Sequence, residues 1–236
     1  MTIPGGISIE EACQLIIAQP APVILPDTCA LLDVVRAPIR NSSYLITLAG
    51  QLSELAAASP KRLHVVISHT VTLEWNAHLA ETVTEVGTAL QAMQRSLQAI
   101  REACMALQLA PPVALPTDLE NLPALLRERA TGLYDAALVL GEDSECLSRA
   151  FAWQALPRRP ARQGKGMNDC TILEHALCLC SQLQAQGFSS PRVFSSSNTV
   201  DYCTGRALHP ELAPEFTAAG LQFAPDLRTG RHRLGL

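Results

Sequence analysis

Four carboxylates hold positions from which they can act together. Asp27 ends a predicted strand, Glu74 lies in the opening turns of the helix after a second strand, Asp169 opens the helix after a basic loop, and Asp201 follows a third strand. Carboxylates gathered in one place repel and raise one another's pKa, so a stable core gives no reason to collect them unless a cation compensates. Oxygen-only ligands select Mg²⁺ or Mn²⁺ over zinc. Each acid alone has a plainer use. Glu74 and Asp169 also suit a helix N-terminus, where a negative side chain contributes roughly 0.3 to 1 kcal/mol, and Asp27 and Asp201 also suit turns or caps. The functional reading therefore rests on convergence, which depends on the elements that carry the acids.

Those elements are legible from periodicity and punctuation. Ser8-Ile-Glu-Glu11 has the spacing of a capping box and starts a helix that Pro20 and Pro22 stop. Val23-Ile-Leu25 is a short apolar, β-branched run, read as a buried strand that delivers Asp27 at its end. Residues 28 to 36 and 43 to 58 read as helices, Ser59-Pro60 breaks the second, and Leu63 to Ile67 is the next buried strand. A long helix from Thr70 or Thr72 to about Leu109, interrupted at Gly87, carries Glu74. Pro111 to Pro116 permits a short extended piece, and Asp118 to Arg129 and Leu133 to Trp153 read as further helices.

The stretch Leu156 to Asn168 breaks that pattern with two Pro, two Gly and the basic Arg158, Arg159, Arg162 and Lys165. The helix opened by Asp169 ends near Gly187, Arg192 to Phe194 is the third clear strand, Ala207 to Leu212 is a turn region, and Leu221 to Phe223 is a last edge strand. Short apolar strands separated by long helical stretches imply parallel pairing with crossovers. The expected fold is one α/β domain spanning residues 1 to 236, a three-layer α/β/α sandwich around a mainly parallel sheet of four or five strands, with a helical insertion and basic loop at about 85 to 168. Ligands of such sheets bind beyond the carboxyl ends of the strands, where all four acids map.

Composition narrows the classes. The chain has 236 residues, 48% of them hydrophobic and 17% charged, with a formal net charge of -4. That excludes a charge-rich disordered chain and a wholly basic nucleic-acid coat, so an anionic partner must meet a local patch. The first basic residue is Arg36, and the uncharged stretch from Ala12 to Pro26 is cut by Gln19, Pro20 and Pro22, so neither an export signal nor a membrane span is expected. Eight cysteines show no CxxC pair or metal-knuckle spacing and mostly sit in apolar surroundings, as reduced thiols of a cytoplasmic protein do.

The motifs carrying the acids resemble those of PIN domains, and in particular the larger bacterial PIN-like group. Leu25-Pro-Asp27-Thr-Cys-Ala-Leu-Leu32 is similar to that family's strand-Asp-Thr-Asn start, with Cys29 in place of Asn; Thr70-Val-Thr-Leu-Glu74-Trp resembles its second acid. Lys165-Gly-Met-Asn-Asp169-Cys-Thr-Ile-Leu-Glu174 resembles its third, and Phe194-Ser-Ser-Ser-Asn198-Thr-Val-Asp201-Tyr202 its final element, with Asn198 replacing the first acid. The resemblance spans residues 22 to 225 and implies phosphodiester hydrolysis assisted by Mg²⁺ or Mn²⁺, most simply in RNA, with single-stranded DNA as the other substrate and an antitoxin or another protein as a partner. On this reading Asp27, Glu74, Asp169 and Asp201 are the catalytic metal ligands, and Asn198 adds a carbonyl oxygen without charge. Lys165 holds a phosphate oxygen, and Arg158, Arg159 and Arg162 position the nucleic-acid backbone, unless that loop is a solvated hairpin. Thr28 bonds a ligand carboxylate or caps a helix, and Ser196, within Ser195 to Ser197, bonds metal-bound water or phosphate.

Other chemistries fit less well. No G-x-S-x-G elbow surrounds the serines, and His175 and Glu174 point away from Asp169 on the helical wheel. A dehalogenase-type phosphatase needs a second Asp where Cys29 stands. The competing class is a PIN-like module weakened at Cys29 and Asn198 that binds RNA or a protein without cutting.

Overall fold

The computed structural model describes residues 6–110, 112, 117–156, 158–161, 166–205 and 207–236. In chain order the elements are α1 (Ile9–Ala18), β1 (Val23–Pro26), α2 (Thr28–Val35), α3 (Tyr44–Ala57), β2 (His64–Ser68), α4 (His69–Ala106), a short 3-10 turn (Thr117–Glu120), α5 (Leu122–Asp135), β3 (Leu138–Leu140) and α6 (Ser144–Ala155). There follow α7 (Met167–Ala185), β4 (Arg192–Ser195), α8 (Thr199–Tyr202), β5 (Cys203–Thr204), β6 (Ala207–Leu208), α9 (Ala213–Ala218), β7 (Gln222–Ala224) and α10 (Leu227–Arg233).

The central sheet has five strands in the order β3-β2-β1-β4-β7, all parallel, and β5 and β6 form a small antiparallel hairpin. β1, β2 and β4 are buried along their whole length, as strands are when helices cover both faces, and the polar His64 and Arg192 that start β2 and β4 are satisfied by backbone carbonyls. In one layer α1, α6 and α9 pack on α7; in the other α2, α3 and α5 pack on one another beside α4 and α10. A fully buried side chain such as Ile24 or Leu31 contributes about 1.5 to 3 kcal/mol. The chain leaves β1 toward β2 and β3, then returns to place β4 on the other side of β1, so the order reverses between β1 and β4. At such a switch point the loops after the strands diverge and open a crevice.

Three expectations are corrected. No helix runs from Leu133 to Trp153: α5 ends at Asp135, β3 forms the sheet's edge, and α6 begins afresh at Ser144. Ile7 covers that edge, donating its backbone N–H to Val139 O at 2.9 Å and accepting from Gly141 N–H at 2.8 Å. A side chain on Gly6 would come within 2.5 Å of Gly141 N, so this approach requires glycine. α4 starts at His69, capped by Ser68, and runs without interruption through Gly87, because one helical glycine costs only about 1 kcal/mol and buried Val71, Trp75, Val86 and Leu90 anchor the helix on both sides of it. The expected helix from Asp118 starts instead at Leu122. The extended piece expected at Pro111 to Pro116 falls largely outside the described residues. No helix among the described residues is long and apolar enough to cross a membrane.

Candidate active site

Asp27 follows β1 and caps α2, buried at 3% exposure. Its Oδ1 accepts from the Thr28 backbone N–H at 2.7 Å. Its Oδ2 accepts from the Ser196 hydroxyl at 2.7 Å and the Cys29 thiol at 3.2 Å. Ser196 directly follows β4, so this bond bridges the switch point. The Thr28 hydroxyl donates to Glu74 Oε2 at 2.6 Å, which joins the start of α2 to the second turn of α4. Of its two expected roles, Thr28 therefore takes the bond to a carboxylate.

Asp169 sits in the first turn of α7, a crossover helix whose N-terminus lies at the same edge. Its neighbour Asn168 donates its amide to Glu74 Oε1 at 2.8 Å, so both Glu74 oxygens have donors from different elements. Gly166 caps α7 with φ +91°, and a Cβ there would stand 3.4 Å from Asp169 Oδ2. Glycine fits that conformation without the strain an L side chain would bring. The Tyr202 hydroxyl donates to the Asp169 carbonyl at 3.2 Å, while its ring packs on Phe194 and Phe223, so α8 is fixed to α7 through the core. In α8 the Asn198 amide donates to Asp201 Oδ2 at 2.9 Å, and the Asn198 backbone N–H donates to Ser196 Oγ at 3.2 Å.

Electrostatics separates these acids from ordinary caps. Burial, then the charges of Asp27, Glu74 and Asp201, push Asp169 up to about 7, against a hydrogen bond from Asn198. Burial also drives Asp27 above the usual carboxylate range; bonds from Ser196, Cys29 and Thr28 pull it down, and the charge of Glu74 adds to the rise. Asp143 caps α6 beyond the neighbouring strand β3 and moves the opposite way. The backbone N–H of Cys146 chiefly holds it below the usual range. A cap whose hydrogen bonds satisfy its charge goes down. Asp169 goes up chiefly because it is desolvated, and the like charges of Asp27, Glu74 and Asp201 add to the rise.

The donors are all oxygen, as a hard divalent cation prefers, and the unbalanced negative charge around Asp169 suits one. Among the described residues, however, no group of three or more His, Cys, Asp or Glu side chains is assembled in a form that could hold a metal ion. As the side chains stand, Glu74 is turned to Thr28 and Asn168, and Asp201 to Asn198.

The basic residues are placed differently from one another. Arg158 donates to Glu215 Oε1 at 2.5 Å and to the Glu211 carbonyl at 3.3 Å, and its guanidinium stacks 4.6 Å from the Trp153 ring centre. Arg159 donates to the carbonyls of Val200 and, at 3.3 Å, Asp201, so it braces the turn that carries Asp201. Arg162 and Lys165 lie outside the described residues. His175 is buried and meets the Thr171 carbonyl at 2.8 Å, and Glu174 accepts from the Trp153 indole, both away from the acids. Asn168 and Tyr202 were not expected to position the acids, and Arg159, expected to position a nucleic-acid backbone, instead donates to the turn that carries Asp201. Asn168 adjoins Asp169 and Tyr202 adjoins Asp201, which were the local signals available.

Comparison with protein-family models, curated proteins and solved structures finds no match to this chain.

Proposed function

We propose that this protein is a divalent-metal-dependent nuclease of PIN-like type that hydrolyses phosphodiester bonds in RNA. The observation that carries the proposal is that Asp169, at the edge where the loops after β1 and β4 diverge, is raised to about 7 by burial and then by the charges of Asp27, Glu74 and Asp201. A fold has no stability reason to bring Asp27, Glu74 and Asp201 around Asp169.

Asp27, Glu74, Asp169 and Asp201, with the Asn198 carbonyl, would hold Mg²⁺ or Mn²⁺. Such an ion, when bound, lowers the pKa of water and offsets charge on the phosphate and the leaving oxygen. The chain's own residues prepare the place. Asp27 is the fixed floor, held by Ser196 and Cys29. Thr28 and Asn168 orient Glu74, and Asn198 orients Asp201. With a pKa near 7, Asp169 is partly protonated at neutral pH. Asp169 would therefore release a proton if a cation were held beside it. Arg159 holds the Asp201 turn, and the remaining basic residues of that loop, Arg162 and Lys165, supply charge for the nucleic-acid backbone.

A second reading, a weakened module that binds RNA or a protein partner without cleavage, is favoured by one observation. Cys29 and Ser196 already donate to Asp27, Asn198 already donates to Asp201, and no ligating group stands assembled among the described residues. Incubation with labelled RNA and single-stranded DNA in Mg²⁺, Mn²⁺ or EDTA separates the two. The nuclease reading expects metal-dependent RNA products that EDTA and Asp27→Asn abolish. Metal-independent binding without products supports the module.

A further inference from the structure

Where α6 packs on α7, two thiols thirty-two positions apart in sequence meet. Cys146 Sγ donates to Cys178 Sγ at 2.9 Å, and the Arg149 guanidinium also donates to Cys178 Sγ, at 2.5 Å. Cys178 lies nine residues past Asp169, about 14 Å along the helix axis, and has no part in the carboxylate site. Both sulfurs are buried, but Cys178, at 7% exposure, borders an open cavity of about 470 Å³ with Arg149, Glu145, Glu174 and Gln182, whereas Cys146 has no exposed surface.

We propose that Cys178 and Cys146 form a peroxide-reactive dithiol, with Cys178 the attacking sulfur and Cys146 the resolving one. The environments of the two sulfurs differ in the required sense. The hydrogen bond from Cys146 and the Arg149 charge lower Cys178, against burial and the charges of Glu174 and Asp143. Cys146 is pushed far up by the same contact and by burial. Burial raises the thiols of Cys13, Cys29, Cys170, Cys180 and Cys203. A thiol whose pKa a neighbouring cation lowers, bordering a cavity and backed by a second thiol, is the arrangement of a redox-sensing cysteine pair.

The chemistry balances with hydrogen peroxide as the oxidant. The Cys178 thiolate attacks one peroxide oxygen, the O–O bond breaks, and the departing hydroxide takes a proton and leaves as water. Cys178 then carries a sulfenic acid. Cys146 sulfur attacks Cys178 sulfur, the S–S bond forms as the S–O bond breaks, and the hydroxyl leaves with the Cys146 proton as a second water. Two thiols lose two hydrogens and one peroxide becomes two waters. The bond would join α6 to α7 on either side of the basic segment and constrain the unfolded chain, so the oxidised protein should melt higher.

The test is mass spectrometry of the full chain after mild peroxide treatment. The expected result is loss of two hydrogens, a peptide pair linked through Cys146 and Cys178 in an unreduced digest, and a melting temperature that rises and is restored by dithiothreitol. Cys146→Ser should instead yield a sulfenic acid at Cys178 that dimedone captures, and Arg149→Gln should slow oxidation at least tenfold. The proposal is overturned if peroxide-treated parent protein leaves both thiols open to alkylation while other cysteines react. It is equally overturned if Cys146→Ser shows the same loss of two hydrogens as the parent. The parent measurement needs no variant, so a folding failure in Cys146→Ser does not remove the test.

Discussion

Asp169 and Asp143 are the same residue type at the start of successive helices, yet their surroundings drive them apart. Asp143 is lowered by the N–H groups it caps, whereas Asp169 is raised by burial and by Asp27, Glu74 and Asp201. This difference sets the pH dependence of stability in metal-free protein. An unfolded aspartate titrates near 3.8 and Asp169 in the native state near 7, so between these values the native state binds more protons than the unfolded chain. Its contribution is fully present below the lower value and is lost as pH rises through the upper one. Asp27, also raised, acts in the same direction. Melts in EDTA should show stability falling from pH 5 to pH 7.5, with a shallower fall in Asp169→Asn; an unchanged slope in that variant would remove Asp169 from the cluster. Asp201→Asn should lower RNA cleavage at least tenfold, about 1.4 kcal/mol in the barrier, while Asn198→Asp keeps cleavage and tightens Mn²⁺ binding. Cleavage at the parent rate by Asp201→Asn would leave that residue a helix acid.

At the scale of elements, short apolar runs bounded by proline and polar residues betrayed β1, β2, β4 and β7, but β3 escaped. Leu138–Leu140 is only three residues long and follows α5 through Ala136-Ala137 with no proline or glycine between, so periodicity could not part strand from helix. Gly87 misled in the other direction. It has ordinary helical φ, and a Cβ there would meet only Pro123 Cγ at 3.8 Å. Gly87→Ala should therefore raise stability by about 0.5 to 1 kcal/mol, measured by urea denaturation, with cleavage unchanged. Arg158 shows how packing reassigns a basic residue. Its charge is engaged by Glu215 and Trp153, which ties the chain after α6 to α9. Arg158→Ala should lower stability by about 1 kcal/mol and leave the salt dependence of RNA binding as it was. Arg162→Ser with Lys165→Ser should flatten that dependence, by roughly 0.7 to 0.9 in slope for each phosphate no longer neutralised. A flatter slope in Arg158→Ala would return that residue to the nucleic-acid surface.

Over the whole molecule, the parallel sheet brings Asp169 under the influence of charges on three acids far from it in sequence, Asp27, Glu74 and Asp201. Asp27 and Ser196 are 169 positions apart, and Glu74 and Asn168 are 94 apart. Sequence alone placed the acids on one edge because the carboxyl ends of parallel strands and the starts of their helices must share it. The order β3-β2-β1-β4-β7, which puts Asp27 beside Ser196 at the reversal, depends on pairing that no local pattern encodes. The same holds for Tyr202, whose hydroxyl reaches the Asp169 carbonyl through a packed aromatic cluster. If these acids are gathered for a divalent cation, the ion itself is the probe, and calorimetric titration with Mn²⁺ near pH 7 reads it without any substrate. Saturable binding with proton release is predicted, because Asp169 must deprotonate, and binding should be greatly weakened in Asp27→Asn and Asp169→Asn. Mn²⁺ affinity in both variants equal to that of the parent, or no binding by the parent, would contradict a cation site at this edge.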